Sequence, residues 1–464
     1  MHAATRPALD RLLLAASLAT ILALWAVITG ALLYRSTLLY QINYNEGWNA
    51  AFVTRLLEGL TLYPDRGTRL INNYPPLSFY IVAGLAKLTG SVLVAGRLLA
   101  WAGYLGCAVL IGLILRRMRC SGSGALLGGA FFAAVIAIRC DLYVGMFDPQ
   151  LPAQAVMLTG LLVLLGARRR DAVLAAALMV AGGFIKHSLI ALPISVTIWL
   201  ALYHRRLLLA WVLAGALFAG AGLAACMAAF GPEFAAGLSA PRYLDVGSGV
   251  RKVLRWLSPI QLPCILALLP PLLGGAEAAL VGIYLPVALV TGVIGASPKA
   301  TNYNMIFELL VAVSLGIGLL AGRFAPRIPS GWVALATAAS LVLTAADLAT
   351  AETLSWRAWS AARRERQAQA QAIVDTLRRT PGPALCGTLL YCVEAGKPFV
   401  YDPLNWGMAP GQDQTSLIED IENRRFSVIQ LDNENFYFTP EVQEAIRRAY
   451  RATVEQPSLY LPLQ

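Results

Sequence analysis

Ionisable side chains set among apolar neighbours are the residues best placed to do chemistry in this sequence. Glu46 stands in Tyr40-Gln-Ile-Asn-Tyr-Asn-Glu46-Gly-Trp-Asn49, just before an apolar helical pattern. A carboxylate there is placed to have a raised pKa and act as a base; it also suits a helix start, where negative charge meets the helix dipole. Asp148 precedes Pro149, which reads both as a helix cap and as a candidate functional acid, and Asp141 lies seven residues before it. Lys186 and His187 interrupt the apolar stretch Gly182-Gly-Phe-Ile-Lys186-His-Ser-Leu. A cation at membrane depth points to an anionic ligand such as a lipid phosphate, with snorkelling to headgroups as the structural alternative. Asn304 and Glu308, four apart, share a helix face, and a buried Glu needs a partner. Arg97 is either interfacial or an anion binder.

These residues need elements to hold them, and composition says what kind. The chain has 464 residues, 58% hydrophobic and 14% charged, against about 25% charged in soluble domains. That length would suggest about three soluble domains, but the apolar excess points to a helical membrane bundle. The net charge of +11 does not indicate nucleic acid, because the arginines sit in short clusters between apolar runs. A span needs about 20 apolar residues. The first run, Leu12 to Tyr34, is long enough and lacks a cleavage site, so it reads as a retained helix. Further spans are expected near 93–115, 122–138, 150–167, 172–185, 188–203, 207–230, 254–271, 276–295, 305–322 and 331–349, about eleven in all.

Charge sets the expected orientation. Arg6 and Arg11, Arg116/Arg117/Arg119, Arg168/Arg169/Arg170, Arg205/Arg206 and Arg323/Arg327 share one side if the N-terminus is cytoplasmic. Glu46, Glu58, Asp65, Asp141, Asp148, Glu233 and Asp245 fall on the other; only Asp10, Asp171 and Glu277 are clearly cytoplasmic. The tail is then outside. It becomes polar after residue 350, with a helix from Arg357 to Arg379 and strands at Ala384–Leu385, Pro398–Tyr401 and Phe426–Leu431. Helices at Thr388–Ala395, near Gln414–Arg425 and at Pro440–Tyr450 complete a small module. The expected fold class is therefore an all-α polytopic membrane protein, N-in and C-out, residues 1–350, with a periplasmic α/β module, 351–464. Most of the seven cysteines read as small core residues. Cys386 and Cys392 fall in the exported module, where either a disulfide or two thiols is permitted.

Between residues 35 and 92 the chain is too polar for a plain span. An amphipathic helix over Ala50–Leu60 is followed by Asn72-Asn-Tyr74-Pro75-Pro76 and a short apolar helix, Leu77–Gly90, suited to the membrane interface. Trp48, Tyr63, Tyr74, Phe79 and Tyr80 would sit at headgroup depth.

Taken in order, these pieces resemble the GT-C fold of membrane glycosyltransferases, in the bacterial branch related to protein mannosyltransferases and aminoarabinose transferases. The resemblance covers residues 10–325. The family's Asp-Glu-Gly corresponds to Asn45-Glu46-Gly47, its Pro-Pro-Leu-x-x-Tyr to Pro75-Pro76-Leu77-Ser78-Phe79-Tyr80, and its Arg-Leu to Arg97-Leu98. Asp148, Lys186 and the pair Asn304/Glu308 match its later polar positions. The resemblance implies inverting sugar transfer from a polyprenyl-phosphate donor to a lipid, glycan or protein acceptor, in the bacterial inner membrane. It makes Glu46 the base, with Asp148 as helper or orienting a divalent metal ion. Lys186 and Arg97 would hold the donor phosphate, and Asn45, Tyr74, Pro75, Asp141, His187, Asn304 and Glu308 would line the substrate site. The chain departs from the family at Asn45, where an Asp is usual. A lipid flippase or other transporter, or a binding protein without catalysis, are the competing classes; no internal repeat supports a transporter.

Overall fold

The computed structural model describes residues 2–463 except 241, 350–354, 408, 410–412, 432–437 and 454–457, and the side chains of all described residues but 2–6 and 66. The expected boundary between 350 and 351 therefore lies outside the described residues.

The chain opens with α1 (His2–Ser36), then α2 (Tyr44–Leu57), α3 (Leu77–Thr89), α4 (Val92–Arg117), α5 (Gly122–Arg139) and α6 (Gln150–Leu164). α7 (Arg169–Ile185), α8 (Ala191–Tyr203), α9 (Arg205–Phe230), α10 (Pro232–Leu238) and α11 (Val246–Leu257) follow. The bundle continues with α12 (Gln261–Leu266), α13 (Leu269–Leu273), α14 (Ala276–Ala296), α15 (Phe307–Gly322) and α16 (Ser330–Asp347). Local chemistry sets several boundaries. Ser91 starts α4 by accepting from Val94 N at 3.3 Å, and Ser121 starts α5 by accepting from Gly124 N at 3.2 Å. Gly90 ends α3 at φ 73°, a conformation that disfavours any side chain.

Eight helical stretches among the described residues are long and apolar enough to cross a membrane: Pro7–Ser36, Val92–Arg117, Gly122–Arg139, Arg205–Phe230, Val246–Leu273, Ala276–Ala296, Tyr303–Gly322 and Ser330–Asp347. The protein is thus a mostly helical, polytopic bundle. The expected spans at 150–167, 172–185 and 188–203 are shorter helices; α8, at 13 residues, reaches roughly 20 Å at about 1.5 Å per residue. The expected span at 254–271 is broken into α11, a 3-10 turn, α12 and α13, because Pro259, Pro263, Pro270 and Pro271 remove helical donors. α15 is the most enclosed of the long helices and packs on α5. A Cβ on Gly124 would come within 2.4 Å of Gly322 Cα, so these backbones meet through glycine.

Beyond the bundle, α17 (Trp356–Arg379) leads into β1 (Ala384–Cys386), α18 (Leu389–Glu394), α19 (Thr415–Glu422), β2 (Val428–Gln430), α20 (Pro440–Ala449), β3 (Tyr450–Ala452) and β4 (Leu459–Pro462). The sheet runs β1-β2-β4-β3, parallel between β1 and β2 and antiparallel elsewhere. The segment 398–401, expected as a strand, pairs with no strand among the described residues; Asp402 N beyond it donates to Arg69 O at 3.1 Å, in the first loop. β3 and β4 lie beyond the last element that the sequence pattern predicts. Cys386 and Cys392 form a disulfide, beside α18, which packs on α2.

Candidate active site

The first loop is more ordered than its polarity suggests. α2 begins six residues before the expected helix, because Asn43 caps it by accepting from Asn45 N at 3.2 Å. That places Asn45 and Glu46 on one helical turn, with their side chains committed to different neighbours. Glu46 is fully buried. Its Oε1 accepts from Arg97 Nε at 2.7 Å and Phe147 N at 3.3 Å; its Oε2 accepts from Arg97 Nη2 at 2.8 Å and Ile42 N at 2.9 Å. Arg97 spends its remaining donors on the carbonyls of Ser36, Leu38 and Tyr40. The pair therefore pins the entry loop to α4. In this arrangement Glu46, the expected base, is not among the residues that line the cavity described below, and all five N–H groups of Arg97, the expected phosphate holder, are already bonded.

Asn45 points the other way. Its Nδ2 donates to Asp148 Oδ2 at 3.2 Å, while Asp148 Oδ1 accepts from Gln150 N at 2.8 Å. Asp148 thus serves the start of α6 and faces Asn45 at once. Beside this pair a cavity of about 680 Å³ opens. Its walls come from the start of α2, residues 73–74, residues 186–188, the segment 295–305, and Leu404 and Asn405 of the C-terminal module. Lys186, Arg242 and Lys299 line it. Lys186 Nζ lies 3.3 Å above the centre of the Tyr74 ring, whose negative face offsets part of the cost of burying the ammonium. Burial pushes the Tyr74 phenol far up, and the charge of Asp148 adds to it. His187 lines the same wall. Asn304 also lines it, and is fixed by Tyr143 OH at 2.8 Å and by Gln150, whose Nε2 donates to Asn304 O at 3.2 Å.

Other expected site residues are elsewhere. Asp141 is half exposed and pairs with Arg35 at 3.2 Å, outside the cavity. Glu308 accepts from Ala191 N at 3.0 Å and Leu192 N at 2.7 Å, which caps α8. Asn304 sits on a 3-10 turn and Glu308 on α15, so the four-residue spacing does not bring them to one face. Pro75 is buried at the entry to α3 and is absent from the cavity wall. Trp48, Tyr63 and Phe79 are buried with Leu389 and Leu390; only Tyr80, 48% exposed, is open among the five aromatics.

The residue least visible in the sequence is Asp402. It is fully buried and accepts from Tyr44 OH at 2.7 Å, Trp48 Nε1 at 2.8 Å, and Asn405 N at 2.9 Å. Asn405 in turn accepts from Asn73 Nδ2 at 3.1 Å and Arg242 Nη2 at 3.0 Å. The run Asp402-Pro-Leu-Asn405 signals a turn, but nothing local says what the turn touches.

The expected divalent metal ion would have to be held by Asp148 together with groups from outside the protein. Hard cations need several oxygen ligands, and no group of three His, Cys, Asp or Glu that could hold a metal occurs among the described residues.

No family model matches the chain, and no curated protein does. Solved structures match over nearly its whole length. The chain is similar to ArnT from Cupriavidus metallidurans bound to undecaprenyl phosphate, at 14% identity and a TM-score of 0.61, covering 97% of both chains. It is likewise similar to ArnT of the same organism in the apo state, at 13% identity and a TM-score of 0.64, covering 95% of this chain and 97% of that one. The Archaeoglobus fulgidus oligosaccharyltransferase tethered with an acceptor peptide matches more loosely, at 10% identity and a TM-score of 0.49, over 96% of this chain and 74% of that one. The architecture is therefore the GT-C fold that the ordered motifs led us to expect.

Proposed function

We propose that this chain is a membrane glycosyltransferase of the bacterial inner membrane, taking its sugar from a polyprenyl-phosphate donor and acting on the periplasmic side. The observation that carries the reading is the cationic cavity over the Asn45–Asp148 pair, in a fold shared with a protein bound to undecaprenyl phosphate. Lys186, Arg242 and Lys299 would hold the phosphate, whose charge grows as the bond from the sugar's C1 to the phosphate oxygen breaks. The acceptor oxygen attacks C1 from the opposite face, which inverts that centre. Its proton goes to Asp148, the carboxylate behind Asn45 of the cavity wall, once the acceptor takes the place of the Asn45 amide. The acceptor, whether lipid, glycan or protein, is chosen by the open part of the cavity.

A second reading has its own support: among the described residues no carboxylate lines the cavity directly, as a binding protein without catalysis would show. Purified protein given polyprenyl-phosphate sugars and membrane acceptors separates the two. Turnover by the wild type that falls by roughly 10²–10⁴ in Asp148→Asn supports the transferase; full turnover in Asp148→Asn sinks the base assignment. Tight polyprenyl-phosphate binding with no turnover of any donor favours the second reading.

A further inference from the structure

The cavity wall is unusual in what it lacks as well as in what it holds. Three cations face it, and among the described residues no Asp or Glu does. The acids around it are already engaged. Asp148 accepts from Asn45 and Gln150 and faces the charge of Lys186. Glu46 is saturated by Arg97 and two backbone amides, and Asp402 by Tyr44, Trp48 and Asn405. Six asparagines supply the remaining polarity: Asn43, Asn45, Asn73, Asn302, Asn304 and Asn405.

Four of those amides keep one end unspent. Asn43 and Asn302 accept a backbone N–H through Oδ1, and among the described residues their Nδ2 groups have no partner. Asn45 and Asn73 donate through Nδ2, and their Oδ1 atoms likewise have none. The wall therefore presents donors and acceptors together and no uncompensated negative charge. A sugar hydroxyl is both donor and acceptor, so it is matched by such amides. A protonated amine is donor only; it would meet three like charges and no free carboxylate.

We infer that the sugar this cavity accepts is a polyhydroxyl sugar without a protonated amine, and that a protonated amino sugar is excluded by the cationic, asparagine-lined wall. The inference rests on the glycosyltransferase reading for the presence of a sugar, but it concerns binding and can be judged without turnover.

The test measures competition by three polyprenyl-phosphate donors, carrying a neutral hexose, an amino pentose and a hexuronic acid, each against bare polyprenyl phosphate. Full-length protein in detergent is used at pH 7. The neutral donor is expected to bind at least about tenfold tighter than the amino donor. The uronic donor, which the cations do not repel, is expected to bind at least as tightly as the neutral one; tightest binding by the amino donor overturns the inference, and so does equal binding by all three and the bare phosphate. Asn302→Asp adds a carboxylate to the wall while its oxygen still caps the following turn. The ratio of amino to neutral affinity is expected to rise about tenfold in Asn302→Asp, and an unchanged ratio overturns the assignment of this wall. Turnover, measured separately, judges the transferase reading alone: a neutral preference without turnover leaves the inference standing and that reading refuted.

Discussion

Trp48 and Asp402 are 354 residues apart in the chain and meet through a 2.8 Å hydrogen bond from the indole Nε1 to the carboxylate Oδ2. Tyr44, one helical turn earlier on α2, donates to the other oxygen at 2.7 Å. A single buried acid of the C-terminal module thus fixes the helix that carries Asn45, and the turn it begins delivers Asn405 to the cavity wall.

Removing that acid should loosen the join. Asp402→Ala removes the shared acceptor of Trp48 and Tyr44 and leaves the buried Trp48 indole N–H without it, at about 1–3 kcal/mol, read as a fall in melting temperature in detergent. Burial, the largest influence, raises the Asp402 carboxyl above its ordinary 3.8, although the bonds from Asn405, Tyr44 and Trp48 lower it. Between those two values the folded protein holds the proton more than the unfolded chain does, so this group's contribution to stability falls as pH rises through the window. Asp402→Asn cannot titrate and should remove that slope. Identical pH profiles for wild type and Asp402→Asn would refute the raised value.

Glu46→Gln discriminates a structural acid from a catalytic one. It leaves Arg97 buried without its charge partner, at about 3–5 kcal/mol, so yield and melting temperature should fall. Turnover per folded molecule should stay within a few-fold of wild type. A loss of a hundredfold or more per folded molecule would return Glu46 to the chemistry.

The Tyr74 ring should matter to donor binding through its face rather than its hydroxyl. Tyr74→Phe keeps the surface under Lys186. Tyr74→Leu removes it, with an expected loss of about 0.5–2 kcal/mol, or roughly 2–30-fold in Kd for polyprenyl phosphate. Equal affinities for the two variants would rule the contact out as a contributor.

The Cys386–Cys392 disulfide closes a short loop beside the helix that packs on α2. Chain entropy assigns such a closure about 2 kcal/mol. Changing both cysteines to serine should lower the melting temperature and abolish its response to reductant. A serine variant that still responds to reductant would place the redox-sensitive bond elsewhere.

Much of the fold was legible because the bilayer imposes a strong rule, that long apolar runs become helices and prolines break them. The ordered motifs read the GT-C fold from Glu46, Arg97, Asp148 and Lys186, each a polar residue in an improbable place. What the sequence could not show is which of them meet. Glu46 and Arg97 were both marked, yet 51 residues separate them, and no periodicity says that they neutralise each other. Four-residue spacing misled at Asn304 and Glu308 because a 3-10 turn intervenes. Arg242 carried no local signal and Asp402 only that of a turn, since their importance comes from tertiary neighbours.

The wall formed by Leu404 and Asn405 bears on how the molecule is made. A nascent chain that has completed every helix through α16 still lacks one side of its cavity, because that side belongs to residues synthesised later. That wall is complete only when the chain has been made past residue 405 and this segment has docked. A copy that stops before residue 404 would lack that side of the cavity.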